Sequence, residues 1–182
     1  MNLLLLSNSS SDAGYLVHAL PDIRELIAAL PAGAPAVFVP YAGVTRNWDD
    51  YTTLVTTALA DTGLDIQPLH RAADPVAALE NAAVIIVGGG NTFNLLGQLR
   101  RQGLLSVVAR RVREGAAYLG WSAGSNLACP SICTTNDMPI TDPKASMRSA
   151  CCPSRSTRTT PMPILPAIAA KRARSAWPSS AR

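Results

Sequence analysis

Histidine is almost missing from this chain of 182 residues: only His18 and His70 occur. Lysine is absent before Lys144, and phenylalanine appears only twice. No apolar run reaches the roughly 18 residues that a membrane-crossing helix needs. The opening MNLLLLSNSS has four leucines but no basic flank, and Asp12 follows soon, so it reads as a first strand and not as a signal peptide. Cys129, Cys133, Cys151 and Cys152 match no zinc-finger spacing, and Pro130 separates the one pair that a helix would bring together. That usage predicts a reduced, cytoplasmic chain, and no cofactor is expected. An apolar fraction of 48% over this length suits one globular core of ordinary size.

Acidic residues run out after Asp142. Residues 1–143 carry eight Arg, no Lys and twelve Asp/Glu, a net charge of −4. Residues 144–182 carry eight Lys/Arg and no acid, a net +8, with five Pro and no Gly, Val, Asn, Gln or His. The chain therefore divides into an α/β body, 1–143, and a basic Pro/Ser/Arg-rich tail, 144–182, whose uncompensated charge predicts disorder.

In the body, apolar runs alternate with helical patterns. Leu3–Leu6, Ala36–Val39, Leu64–Pro68, Val84–Val87 and Ala116–Gly120 read as strands. Tyr15–Leu30, Asp49–Ala60, Asp74–Leu79, Asn91–Leu99 and Leu104–Arg113 read as helices, with Pro21 a candidate start for the first. Asp74-Pro75 supplies an N-cap and a proline at the first helical position, and Asn91 or Thr92 caps the fourth helix. Solidly apolar strands joined by helices predict a parallel sheet covered on both faces. Its sites lie in loops at the carboxyl ends of strands. Ser7–Ser11, Gly88–Asn91 and Gly120–Gly124 are the candidate loops.

The last of these is LGWSAG. A serine between two glycines, after a strand and before a helix, is how a nucleophile is raised on a sharp turn. Glycine turns with an exposed serine are also common, so the pattern alone is weak. Ser122 is the candidate nucleophile, and the Ala123 amide is a candidate oxyanion donor. Gly88-Gly89-Gly90-Asn91 has three readings: a second oxyanion donor through Gly89 and Gly90, a phosphate cradle, or a plain tight turn. The cradle is disfavoured because the stretch is neither G-x-G-x-x-G nor a Walker motif and no lysine follows. Asp137, in TTNDMP, either orients a histidine or closes an Asx-type turn before Pro139.

Together these runs resemble the peptidase E family of aspartyl dipeptidases. LLLLSNSS, VFVPYAGVTRNWDDYT, HRAADPVAALE, IIVGGGNTFNLL and YLGWSAGSNLACPSICTTNDMPI carry the resemblance, in order, across residues 1–143. It implies a doubly wound α/β sandwich related to class I glutamine amidotransferases, here cut short at its C-terminal end. It further implies a cytoplasmic serine exopeptidase that releases N-terminal aspartate from Asp-X dipeptides. Ser122 would be the nucleophile and Asp137 a charge-relay carboxylate, with a small peptide as partner, no specific nucleic acid, no membrane and no metal. A glutamine amidotransferase would need a cysteine where Ser122 stands.

The family's catalytic histidine belongs to an N-P-H-[FY] motif about twenty residues past N-D-M-P, and no such motif is present. A consistent choice of codons from Lys144 onward, read one base earlier, spells GFDALGLLPFQINPHYTNANPPGHRGETR. That string contains NPHY, its histidine codon overlapping those of Arg158 and Thr159, and GETR, a candidate carrier of the basic group that reads aspartate. Two bases of every shifted codon are largely fixed by the residue present, so free third bases cannot produce such a run. One missing base near Lys144 accounts for the tail's lost acids and its Arg/Ser/Pro excess. The chain as written is thus expected to be inactive. The rival reading is a non-catalytic nucleic-acid-binding chain that uses its +8 tail, although the tail's basic residues follow no helical or strand register.

Overall fold

The computed structural model describes residues 2–129, 131–133 and 135–142. The expected disorder of 144–182, and any role of that tail in nucleic-acid binding, lie outside the described residues.

The strands in chain order are β1 (Leu3–Leu6), β2 (Ser10–Ser11), β3 (Gly14–Tyr15), β4 (Pro35–Val39), β5 (Asp65–Pro68), β6 (Val84–Val87) and β7 (Ala117–Trp121). The helices are α1 (Leu20–Ile27), α2 (Trp48–Ala58), α3 (Pro75–Asn81), α4 (Thr92–Arg101), α5 (Leu104–Glu114) and α6 (Ala123–Leu127). Five strands form one sheet in the order β1-β7-β6-β4-β5, and every pairing in it is parallel. β6 and β7 are buried along their whole length, as solidly apolar central strands must be.

The pleat sorts each strand between two cores. Val37, Val39, Ile85, Val87 and Tyr118 pack with α3, α4, α5 and α6. Their neighbours Ala36, Phe38, Val84, Ile86, Leu119 and Trp121 pack with α1 and α2. The sheet is therefore covered on both faces, as the doubly wound reading requires.

The first helix departs from the sequence reading. Tyr15 belongs to a two-stranded hairpin, β2 with β3, and Leu16 takes a positive φ of 59°. A 3-10 turn, Val17–Ala19, follows, and α1 begins only at Leu20, with Pro21 in its first turn. A helical pattern of apolar residues thus ran through a hairpin end and a tight turn that bury Leu16 and Ala19 equally well. Elsewhere the caps act as read. The Asp74 carboxylate accepts from the amides of Val76 and Ala77, and Asn91 accepts from Asn94. No helix among the described residues is long and apolar enough to cross a membrane.

His70 sits in a 3-10 turn, Leu69–Arg71, after β5. Asp49 Oδ1 accepts from His70 Nε2 and Arg71 Nε, both at 2.7 Å. Hydrogen bonds from Arg71 and then His70 hold the Asp49 carboxyl at about 2, below its ordinary 3.8. A depressed carboxyl pKa contributes stability above the ordinary value and loses it as pH falls through the folded value. Replacing Asp49 by Asn should therefore cost stability at neutral pH, with the gap to wild type closing between pH 4 and about 2. Urea unfolding across that range measures it, and a gap independent of pH would contradict the assignment.

Candidate functional site

The connections place a crevice at the carboxyl edge of the sheet. β4 leads into α2 on one face, and its neighbour β6 leads into α4 on the other. Loops that leave adjacent strands toward opposite faces open a cleft between them. A cavity of about 620 Å3 lies there, lined by Ser7–Ser10, Gly43–Arg46, Gly89–Asn91, Tyr51, Ser122 and Asp137 among others. All three loops singled out in the sequence thus border one space.

Ser122 follows β7 directly and adopts φ 50° and ψ −110°. A non-glycine residue reaches that region only when its surroundings enforce it. The enforcement is visible on both sides. The Ser122 amide donates to Leu6 O at 3.0 Å, tying the turn to β1. Ser125 Oγ lies 2.7 Å from Leu6 O and 2.9 Å from Gly120 O, its one hydroxyl proton shared between the two carbonyls. A Cβ on Gly120 would lie 2.8 Å from the Gly124 carbonyl carbon, and one on Gly124 would lie 2.2 Å from Val87 O. Both glycines of LGWSAG are thus demanded by backbone contact, and Ser122 is left exposed at the turn's apex.

Gly88–Gly90 run beside this turn. A Cβ on Gly89 would meet Trp121 Cδ1 at 2.8 Å and Ser122 Cβ at 3.1 Å. The Gly88 and Asn91 amides are committed to Val39 O and Ala42 O. Those of Gly89 and Gly90, between them, donate to no carbonyl among the described residues. Ala123 is fully buried and not among the residues lining the cavity; it is the first residue of α6, where helix amides have no carbonyl within the helix to bond.

Sequence reasoning missed what holds this glycine loop. Tyr51, from α2, donates its hydroxyl to Gly89 O at 3.1 Å and accepts from Trp121 Nε1 at 3.1 Å and Tyr15 Oη at 3.3 Å. Burial, reinforced by the neighbouring Tyr15, raises the Tyr51 phenol far above its ordinary value, so it stays a neutral donor. The Phe38 ring stands edge-on to Tyr51 and stacks on Trp121. The only sequence signal for this partnership was the aromatic at an inward position of α2. Tyr51→Phe should leave the Trp121 N–H and the Gly89 carbonyl without their shared partner, at a cost of about 1–3 kcal/mol. Denaturant unfolding checks this, and an unchanged midpoint would remove Tyr51 from the account.

Asp137 arrives from a segment 45 residues beyond α4's start, where its Oδ2 accepts from the Thr92 amide at 2.7 Å. Partial burial raises its pKa, but hydrogen bonds from Thr92 and Thr135 outweigh this and keep the carboxyl below its ordinary value. Thr92, fully buried, takes further contacts from Asn126 of α6 and from Thr135. Asp137 is thus the first-turn anion of α4 and a cavity residue at once. The Asx-turn reading of Asp137 is corrected here: the side chain serves a distant helix, while its own amide donates to Thr135 Oγ1.

Neither histidine borders the cavity. His18 is exposed in the turn before α1, and His70 is engaged with Asp49. Among the described residues no group of three His, Cys, Asp or Glu is placed to hold a metal.

Comparison with known proteins matches the model of peptidase family S51 to residues 3–151. Peptidase E of Escherichia coli O6:K15:H31 (strain 536) is 55% identical over 145 residues, covering 79% of this chain and 62% of the relative. Peptidase E of Escherichia coli strain K12 / DH10B matches to the same extent. The chain thus spans 62% of the length of these curated relatives. The crystal structure of a putative peptidase E protein from Listeria monocytogenes EGD-e is similar with a TM-score of 0.54 and 26% identity, over 72% of this chain and 63% of that one.

Proposed function

The chain belongs to peptidase family S51, and from that membership we propose that residues 1–143 are the nucleophile-bearing part of a cytoplasmic serine dipeptidase acting on Asp-X substrates. The observation that carries the reading is the backbone of Ser122: φ 50°, ψ −110°, at the apex of a turn packed through two glycines and facing Gly89 and Gly90 across one cavity. In this reading the Ser122 hydroxyl attacks the scissile carbonyl carbon. The oxyanion that forms is met by the Gly89, Gly90 and Ala123 amides. Collapse of that intermediate expels the amine of X, which takes a proton, and leaves an ester on Ser122 that water then hydrolyses. A base must accept the serine proton in the first step and deliver it to the amine in the second. Asp137 would orient that base, its carboxylate kept ionised by Thr92 and Thr135.

That base is the histidine of the NPHY string encoded one base out of frame after Lys144. No histidine lines the cavity among the described residues, so the activity of the chain as written is expected near background. Resequencing the DNA around the Lys144 codon tests the frame. In the repaired frame, Asp-Leu should be hydrolysed while Asn-Leu and Gly-Leu are spared. Turnover indifferent to the first residue would contradict the aspartate assignment while leaving a peptidase.

A further inference from the structure

Among the described residues, one cationic side chain borders the cavity in front of Ser122. Arg46, on the loop between β4 and α2, is the sole Lys or Arg among the described residues that line it. Three other arginines of the body are ion-paired, Arg71 with Asp49, Arg110 with Glu80 and Arg111 with Glu114, and none of the rest lines the cavity. Arg46 makes no ion pair among the described residues. Its guanidinium lies instead 5.8 Å from the centroid of the Tyr51 ring, the same ring whose hydroxyl holds Gly89. The one acid lining the cavity, Asp137, is engaged by the Thr92 amide.

The loop that carries Arg46 is held at both ends. Trp48 Nε1 donates to Gly43 O at 3.0 Å, and Asn47, the next residue, caps α2 through the Asp49 amide at 2.8 Å. A guanidinium with no ion pair among the described residues, carried by a held loop into a cleft of a body of net charge −4, offers a site for an anion. A planar guanidinium matches a carboxylate through two parallel hydrogen bonds.

We propose that Arg46 is the carboxylate-binding residue of this cavity, gripping one carboxylate of a short acidic peptide whose scissile carbonyl lies at Ser122. The proposal rests on the dipeptidase reading above and names a carboxylate contact among the described residues, separate from the GETR arginine of the shifted frame. An Asp-X dipeptide carries two carboxylates, and a carboxylate taken from water into a cleft is costly unless it is paired. Either the aspartate side chain or the C-terminal carboxylate meets the chemistry of Arg46.

Binding to the full 182-residue chain tests this without requiring turnover. Isothermal titration calorimetry would compare Asp-Leu, Asn-Leu and Asp-Leu amide on wild type, Arg46→Gln and Arg46→Lys. Arg46→Gln should weaken Asp-Leu about ten- to a hundredfold, with Arg46→Lys in between. The peptide that lacks the carboxylate Arg46 grips should bind wild type and Arg46→Gln alike, which identifies that carboxylate. If Arg46→Gln binds Asp-Leu as tightly as wild type does, the Arg46 contact is overturned and the dipeptide site stands. If Arg46→Gln weakens all three peptides equally, Arg46 acts only as a diffuse field and the direct grip is overturned. If wild type binds none of the three, Arg46 gives no grip and the proposal is overturned, while the dipeptidase reading stands or falls with turnover of Asp-Leu by the frame-repaired chain.

Discussion

Ser122→Ala in the frame-repaired chain should abolish Asp-X hydrolysis, with a loss of about 10^4-fold or more in kcat. The size follows from the way a nucleophile and its base act as one unit. Removing either forfeits the covalent route, and oxyanion donors alone retain only a small rate above water. KM should change little, because the hydroxyl is small and contributes mainly in the transition state. Asp137→Ala should lower the rate less, since the base would lose its orienting carboxylate but keep its proton-accepting nitrogen. It should also destabilise α4, whose first amide Asp137 accepts. A readout of kcat together with unfolding therefore separates the two effects. A repaired Ser122→Ala chain that still turns over Asp-Leu would mean that another group attacks.

Gly124→Ala should be one of the two most damaging single methyls in the body, beside Gly90→Ala, whose Cβ would also lie 2.2 Å from a backbone oxygen. The Cβ on Gly124 would lie 2.2 Å from Val87 O and 2.9 Å from the Val87 carbonyl carbon, and both are backbone atoms of the central strand β6. Neither can swing aside as a side-chain tip does, so α6 must lift away from the sheet. Overpacking of side chains costs about 1–3 kcal/mol; a clash with strand backbone is expected to exceed about 3 kcal/mol and to pull Ser122 away from Gly89. Gly103→Ala is the control. It adds the same methyl where nothing lies within 4 Å, at φ 68°, so only the left-handed backbone is penalised, at about 1–2 kcal/mol. Equal destabilisation of the two variants would show that the elbow is not backbone-packed as described.

The parts of the fold that were legible owe this to local chemistry. β1 and β6 are uninterrupted apolar runs whose ends are marked by Ser7 and by Gly88. α3 was announced by Asp74-Pro75, a cap and a first-turn proline in adjacent positions. The hairpin of β2 and β3 was not legible, because two-residue strands at Ser10–Ser11 and Gly14–Tyr15 are too short to show alternation. For the same reason the helical pattern from Tyr15 overran the true start at Leu20.

The site divides in the same way. Ser122 and the Gly88–Asn91 loop stood out because steric demands leave glycine in the sequence at fixed offsets. Tyr51, Thr92 and Arg46 carry no such mark. Tyr51 meets Gly89 across 38 residues, and Asp137 meets Thr92 across 45. These pairings exist only once β4, β6 and β7 lie side by side, so no spacing in the chain foretells them.

The central claim is that the chain presents a nucleophile without a base. Hydrolysis of Asp-Leu by the 182-residue chain, measured beside the chain repaired by one base after the Lys144 codon, tests it most directly. The account predicts background turnover for the first, unchanged by Ser122→Ala, and Ser122-dependent turnover for the second. Comparable Ser122-dependent rates for both would place the proton acceptor among the residues already present, with His18 and His70 the first to be replaced, and would contradict the claim.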